Sequence, residues 1–267
     1  MKKFIVAALA AILAFSSCTQ ELVIIHTNDT HSHFEPLRGG KHSGWGGCIE
    51  QAAYVDSVRA ARGEDNVLLL HAGDFSQGSS YFSELGGSLE IEMLNALRYD
   101  CVTLGNHELD NGIEALCARL KNLECPCICA NLDLSPFELG QYVKPYTIIE
   151  RGGRRIGIIG LESDISTNVS KTTSSRIDQL DNLEVTLKYA DLLHDVEKCD
   201  LIILLSHAGY DEDQALAPNL RWVDLIIGGH THTRLDGFTV VRDSRGHKVR
   251  IITDGAYGLR MGEITVK

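Results

Sequence analysis

Residues 22–31 read LVIIHTNDTH: four apolar residues of strand type that run directly into His26, Asn28, Asp29 and His31, side chains able to bind a metal. The same construction recurs four times. Val67–His71 runs into Gly73-Asp74, Cys101–Leu104 into Gly105-Asn106-His107-Glu108, Leu201–Leu205 into Ser206-His207, and Val223–Ile227 into Gly228-Gly229-His230-Thr231-His232. Short β-branched runs bounded by Gly, Asp or Asn are predicted strands. In open α/β sheets, sites form at the carboxyl ends of strands, so side chains about 200 positions apart in the chain can meet on one edge.

Cys127–Ala130, Ile156–Leu161 and Arg250–Thr253 are further predicted strands. Helical patterns lie at Cys48–Arg62, Ser88–Tyr99, Gly112–Asn122, Asn182–Glu197 and Asp213–Arg221. In the first of these, Ile49, Ala52, Ala53, Val55 and Val58 recur near helical spacing, which predicts one buried face. Alternating strands and helices define the α/β class. Tyr146–Glu150 and Arg154–Gly160 are strand patterns joined by Gly152-Gly153, a hairpin that makes the sheet mixed. Residues 164–181, rich in Ser and Thr, read as a surface loop or cleft rim. With no internal repeat and no Pro-rich linker, a single domain over residues 22–267 is the economical reading.

Lys and Arg number 25 against 36 Asp and Glu, a net charge of -11 that repels phosphate polymers and argues against a nucleic-acid partner. Residues 1–17 read as an export signal: Lys2 and Lys3 precede the apolar run Phe4–Phe15, followed by Ser16, Ser17 and Cys18. That run falls short of the roughly 20 residues that span a bilayer. The Ser-Ser-Cys ending resembles a bacterial lipobox, which implies lipidation of Cys18 and a periplasmic or cell-surface protein held to the membrane by its N-terminal lipid alone; plain cleavage near Ser17 is the alternative. Of the other seven cysteines at least one must stay unpaired. Cys125, Cys127 and Cys129 alternate at a spacing unlike a zinc knuckle and read as buried thiols on one strand face.

The strand-end donors are Asp, His and Asn with no thiolate, a set suited to zinc, manganese or iron. Asp29 with His31, and His230 with His232, lie two apart, which in extended backbone aims both members to one side. Asp29, His31, Asp74, Asn106, His207, His230 and His232 are seven donors, too many for one ion. Sharing a carboxylate at Asp74 makes four per ion, the arithmetic of a two-metal site.

These motifs, IIHTNDTHSHF, AGD, GNHELD, SHAG and GGHTH, resemble in content and order the calcineurin-like metallophosphoesterase superfamily, and within it the N-terminal catalytic domain of the bacterial 5'-nucleotidase family. The resemblance implies an αββα sandwich with mixed sheets. It implies one ion on Asp29, His31, Asp74 and His232, and the other on Asp74, Asn106, His207 and His230. The implied chemistry is hydrolysis of 5'-nucleotides or small phosphate esters by in-line attack of a hydroxide bridging two divalent ions. His107 is implied to assist the leaving alkoxide, oriented by Asp110. Two-domain relatives continue into a nucleoside-gripping domain where this chain stops at Met261–Lys267, so the expectation is either broader ester specificity or a separate nucleoside-binding polypeptide.

Singly, Asp29 suits a turn cap, Asn106 a left-handed turn and His207 a core histidine; jointly those readings lose. His26, His33 and His71 read as strand-end histidines or donors to a ligand, and His42, His194 and His247 as solvated. Glu108 is needed by neither the arithmetic nor the resemblance. The glycines at 39–40 and 44–47 match no phosphate-loop pattern and read as a flexible lip, with Trp45 a candidate substrate contact. Alternatives within the class are a 2',3'-cyclic-nucleotide phosphodiesterase and a nucleotide-sugar pyrophosphatase. Outside it stands a non-catalytic metal-binding surface lipoprotein, against which an intact His107 and Asp110 argue.

Overall fold

A computed structural model describes residues 21–267; the predicted export signal and Cys18 lie outside the described residues. Leu22–Thr27 (β1) alternates with period two, sending Leu22 and Ile24 to one face and Val23 and Ile25 to the other, all fully buried. Val67–His71 (β2) repeats this with Leu68 and Leu70 against Val67 and Leu69. Strands that bury both faces belong in the interior of a layered sheet.

The first sheet pairs β1, β2, Cys101–Thr103 (β3), Cys127–Ile128 (β4) and Val143–Lys144 in parallel, with Gly262–Val266 antiparallel on the edge of β1. In the second, Arg154–Leu161, Leu201–Ser206, Leu225–Ile227 and Lys248–Ile252 run parallel between the antiparallel edges Tyr146–Arg151 and Thr239–Arg242. Leu22, Ile24, Leu68 and Leu70 meet Ile156, Ile158, Ile203 and Leu205 between the sheets. Helices Cys48–Arg62 (α1), Ser88–Leu97 and Gly112–Leu120 cover the outer face of the first sheet, and Asn182–Asp191 with Tyr210–Leu216 cover the second. This is the expected αββα sandwich with mixed sheets.

Gly152 and Gly153, at φ 58° and 71°, close the predicted hairpin, a two-residue turn that needs positive φ at both positions. Cys127 and Cys129 are buried, Cys125 packs beside them in the same cluster, and all seven described cysteines are free thiols.

Some details differ from expectation. The helix predicted at Asp213–Arg221 spans Tyr210–Leu216 and passes into a 3-10 turn at Ala217–Asn219, because Pro218 lacks an N–H and disfavours helix before it. On α1 the buried stripe is Gln51, Val55 and Arg59, whereas Ile49 is 77% exposed. Polar side chains win there because they satisfy carbonyls: Arg59 donates to Leu97 O and Arg98 O at 2.8 and 2.7 Å, and Gln51 donates to Gly258 O at 2.8 Å. Residues 164–181 contain two short helices, Ile165–Asn168 and Lys171–Ser174, and part of a two-stranded ribbon, with Asp164 capping the first through Ser166 N. Among the described residues no helix is long and apolar enough to cross a membrane.

Candidate active site

All five ligand-bearing strand ends open on the same edge of the sandwich, because β1, β2, β3, Leu201–Ser206 and Leu225–Ile227 run parallel within their sheets. Backbone hydrogen bonds lock the loops to one another. Asp29 N and His31 N donate to Gly73 O and Asp74 O, each at 3.0 Å. His230 N donates to the Asp29 carboxylate at 3.0 Å, and His107 N to Asp74 Oδ1 at 2.9 Å.

Asp29, His31, Asp74, His230 and His232 have φ between 48° and 73°, a left-handed region that side chains other than glycine rarely adopt. The paired side chains therefore converge through left-handed turns and not through extended backbone, contrary to expectation. Such strain persists where the surroundings over-determine it, and it clusters at functional sites.

The donor atoms of Asp29, His31 and His232 lie within 4.8 Å of one another, as do those of Asp74, His207 and His230. His31 Nε2 is 2.9 Å from His232 Nε2 and 3.9 Å from Asp74 Oδ2, while His207 Nε2 is 3.0 Å from Asp74 Oδ2. Asp74 thus faces both clusters. Asn106, which lines the same cavity, has a buried Oδ1 with no hydrogen-bond partner. His207 Nε2 also lacks one, since its approach to Asp74 is close but outside hydrogen-bond geometry. Unpartnered buried acceptors and two imidazole nitrogens facing one another at 2.9 Å are lone pairs aimed at common points, so the residues fit a pair of divalent ions.

Burial pushes His31 and His230 down toward the neutral, ligating form. Burial works to raise the Asp74 carboxyl too, yet the His207 ring 3.0 Å away, helped by His31 and His107, holds it below the ordinary carboxylate range. His207 Nδ1 donates to Ala72 O at 2.7 Å, which leaves Nε2 as the nitrogen free to coordinate an ion.

His107 brings a ring nitrogen within 4.8 Å of the donors of His31 and Asp74, and its Nδ1 lies 2.8 Å from Asp110 Oδ2. The Asp110 hydrogen bond, opposed by burial, pushes His107 up to about 9. His33 touches no ligand ring; its Nδ1 donates to His31 O at 2.7 Å. His71 Nε2 pairs with Thr30 Oγ1 at 3.0 Å and burial drives it down to about 3, while His26 lies 2.6 Å from Asp254. His42 and His194 are half-buried on Trp45 and Trp222. Trp45 does not line the cavity.

Residues beyond the predicted ligands shape the site. Glu108 is fully buried, and its carboxylate accepts from Asp74 N (2.9 Å), Ser76 N (2.9 Å) and Gly105 N (2.7 Å), tying together the loops that carry Asp74 and Asn106. Burial and the Asp74 charge push it up to about 7. Gly229 is required because a Cβ there would meet Ala72 O at 2.7 Å and His207 Nδ1 at 2.8 Å. Thr167, Asn168 and Tyr257 line the cavity of about 750 Å³ in front of the candidate metal ligands. The signal for Glu108 was a carboxylate inside a motif with no solvent-facing position; none marked Tyr257.

An αββα sandwich with a two-metal donor set at its strand ends defines a class, the dinuclear metallohydrolases. A family model of calcineurin-like phosphoesterases matches residues 22–234. The chain belongs to that family, whose members are hydrolases holding two divalent metal ions. It is 38% identical over 224 residues to the snake venom 5'-nucleotidase of Naja atra, covering 80% of this chain and 42% of the relative. It is 35% identical to a probable 5'-nucleotidase of Treponema pallidum, covering 92% and 45%. The crystal structure of a Thermus thermophilus 5'-nucleotidase precursor superposes with a TM-score of 0.84 at 34% identity, covering 92% of this chain and 51% of that one. The chain spans about half the length of the curated relatives it matches.

Proposed function

We propose that the protein is an exported phosphomonoesterase acting on 5'-nucleotides and related small phosphate esters. The observation that carries this reading is Asp74 facing two donor clusters that arrive from four separate strand ends, with Asn106 lining the same cavity from a fifth. One ion would be held by Asp29, His31, Asp74 and His232, the other by Asp74, Asn106, His207 and His230. When bound, two such ions neutralise phosphoryl oxygens and acidify a water.

The chain's own residues supply the rest. Asp110 Oδ2 holds the Nδ1 proton of His107 and fixes the ring, which leaves Nε2 to donate a proton to the departing alkoxide oxygen. His107 N–H on Asp74 Oδ1 keeps that carboxylate in register with the loop that carries the acid. Gly73, Gly105 and Gly229 let the loops approach closely enough for donors from distant strands to meet. Relatives named as 5'-nucleotidases support the nucleotide as substrate. Export with lipid on Cys18 belongs to the same reading and rests on the sequence of residues 2–18; intact-mass analysis of the membrane-extracted protein tests it.

The purified chain with manganese is expected to hydrolyse AMP and p-nitrophenyl phosphate, to lose activity in EDTA, and to be inactive as Asp74→Asn. A wild-type protein inert on both esters with zinc, manganese and iron alike overturns the proposal. Parallel rates on 2',3'-cyclic AMP and a nucleotide sugar separate the monoesterase from the phosphodiesterase and pyrophosphatase alternatives.

A further inference from the structure

Tyr257 is a large aromatic residue that neither the core nor the proposed metal sets use. It is 41% exposed and belongs to no core cluster. Among the described residues its hydroxyl has no hydrogen-bond partner. Its backbone is nevertheless held firmly in a left-handed conformation, φ 63°. The Tyr257 N–H donates to Asp29 O at 2.6 Å, the preceding turn is tied by Asn28 Nδ2 to Gly255 O at 2.7 Å, and the following residue by Gln51 to Gly258 O. Two elements, the loop after β1 and α1, thus hold one ring in place with three hydrogen bonds. Strain of this kind is maintained where the side chain's position has a use.

The ring faces the cavity. Its centroid lies 4.7 Å from that of His33, tilted at 50°, and 5.7 and 5.4 Å from those of His31 and His232. Tyr257 and His33 therefore make an aromatic wall of two rings, tilted 50° to one another, that begins beside His31 and His232, while Thr167 and Asn168 line the same cavity with polar groups. A wall at that position meets the part of an ester's alcohol next to the ester oxygen, and not a group one sugar further out. Aromatic faces favour the flat face of another ring and offer less contact to an open chain.

We propose that Tyr257, backed by His33, is a leaving-group subsite that selects phosphate esters whose alcohol carries a ring beside the ester carbon over open-chain esters. The inference rests on the phosphomonoesterase reading for its substrate, so its test includes binding measured without turnover. Benzyl phosphate and n-butyl phosphate both release primary alkoxides and differ chiefly in the ring. For the full chain with manganese, kcat/KM is expected to favour benzyl phosphate roughly tenfold. Tyr257→Phe keeps that ratio, whereas Tyr257→Ala and Tyr257→Leu, the second retaining bulk without a flat face, bring it below about twofold. Calorimetry with benzylphosphonate and butylphosphonate, which are not hydrolysed, is expected to show the same preference and the same loss. A ratio near one in the wild type, or one unchanged in both the Ala and Leu variants, overturns the inference. If no ester is hydrolysed, the phosphomonoesterase reading fails by itself, and the phosphonates still decide: preferential binding lost in the variants supports the wall, and equal or absent binding overturns it.

Discussion

Glu108→Ala separates the scaffold of the site from its ligands. The native carboxylate accepts three buried backbone N–H groups, from Asp74, Ser76 and Gly105, and Arg119 braces the same turn through Glu108 O and Ser76 Oγ at 2.6 and 3.0 Å. Truncation leaves three donors without acceptors, at about 1–3 kcal/mol each. Against this, the carboxylate's own burial is relieved; its rise from 4.5 to about 7 puts that return at roughly 3 kcal/mol. The net loss is a few kcal/mol, centred near 3 kcal/mol, a large share of a typical domain's stability. Urea unfolding in EDTA measures it with no contribution from metals. Glu108→Gln keeps one acceptor oxygen and should fall between the variant and the wild type, while both variants bind manganese more weakly because the Asp74 and Asn106 loops are no longer tied. An Ala variant that unfolds within about 0.5 kcal/mol of wild type refutes the argument, since that is the scatter of an ordinary surface change.

Gly229→Ala forces a Cβ against Ala72 O and His207 Nδ1, so the variant should bind fewer than two ions by elemental analysis and lose about 1–3 kcal/mol of stability. Asp110→Asn is expected to lower kcat roughly a hundredfold or more while metal content stays at two per chain; a fall under about threefold removes Asp110 from the dyad. Asp213 is fully buried and carries an unpartnered Oδ2, and burial pushes its carboxyl from 3.8 up to about 7. The folded protein therefore keeps a proton that the unfolded chain releases. Stability in EDTA should fall as pH rises from about 4 to 7, by up to about 4 kcal/mol, and then level off. Asp213→Asn should remove the Asp213 share of that slope and leave the share of Glu108; urea midpoints at pH 5 and pH 8 that differ equally in variant and wild type contradict it.

The strands that face the core were legible, and of the antiparallel edge strands only Tyr146–Arg151 was, through the glycine pair of its hairpin. Val67–His71 and Leu201–Ser206 appear at their predicted bounds, and helix Cys48–Arg62 likewise, because continuous apolar runs and glycine boundaries are local signals. Thr239–Arg242 and Gly262–Val266 were passed over: each alternates half-exposed residues, and the second pairs with β1, far away in the chain. Within the site, ligands announced themselves by residue type and spacing. Glu108 acts through backbone N–H groups that carry no mark in the sequence, and Tyr257 through the place to which its loop is tied.

Composition and order of the strand-end motifs alone determined an α/β protein with seven candidate metal-binding side chains at its strand ends, since side-chain chemistry is local and survives any fold that brings strand ends together. Which nitrogen of His207 faces Asp74, how left-handed turns replace extended pairs, why Gly229 admits no methyl group and where an aromatic ring stands against the ligands were decided only in the folded chain. Those are matters of distance between segments, and distance is set by packing.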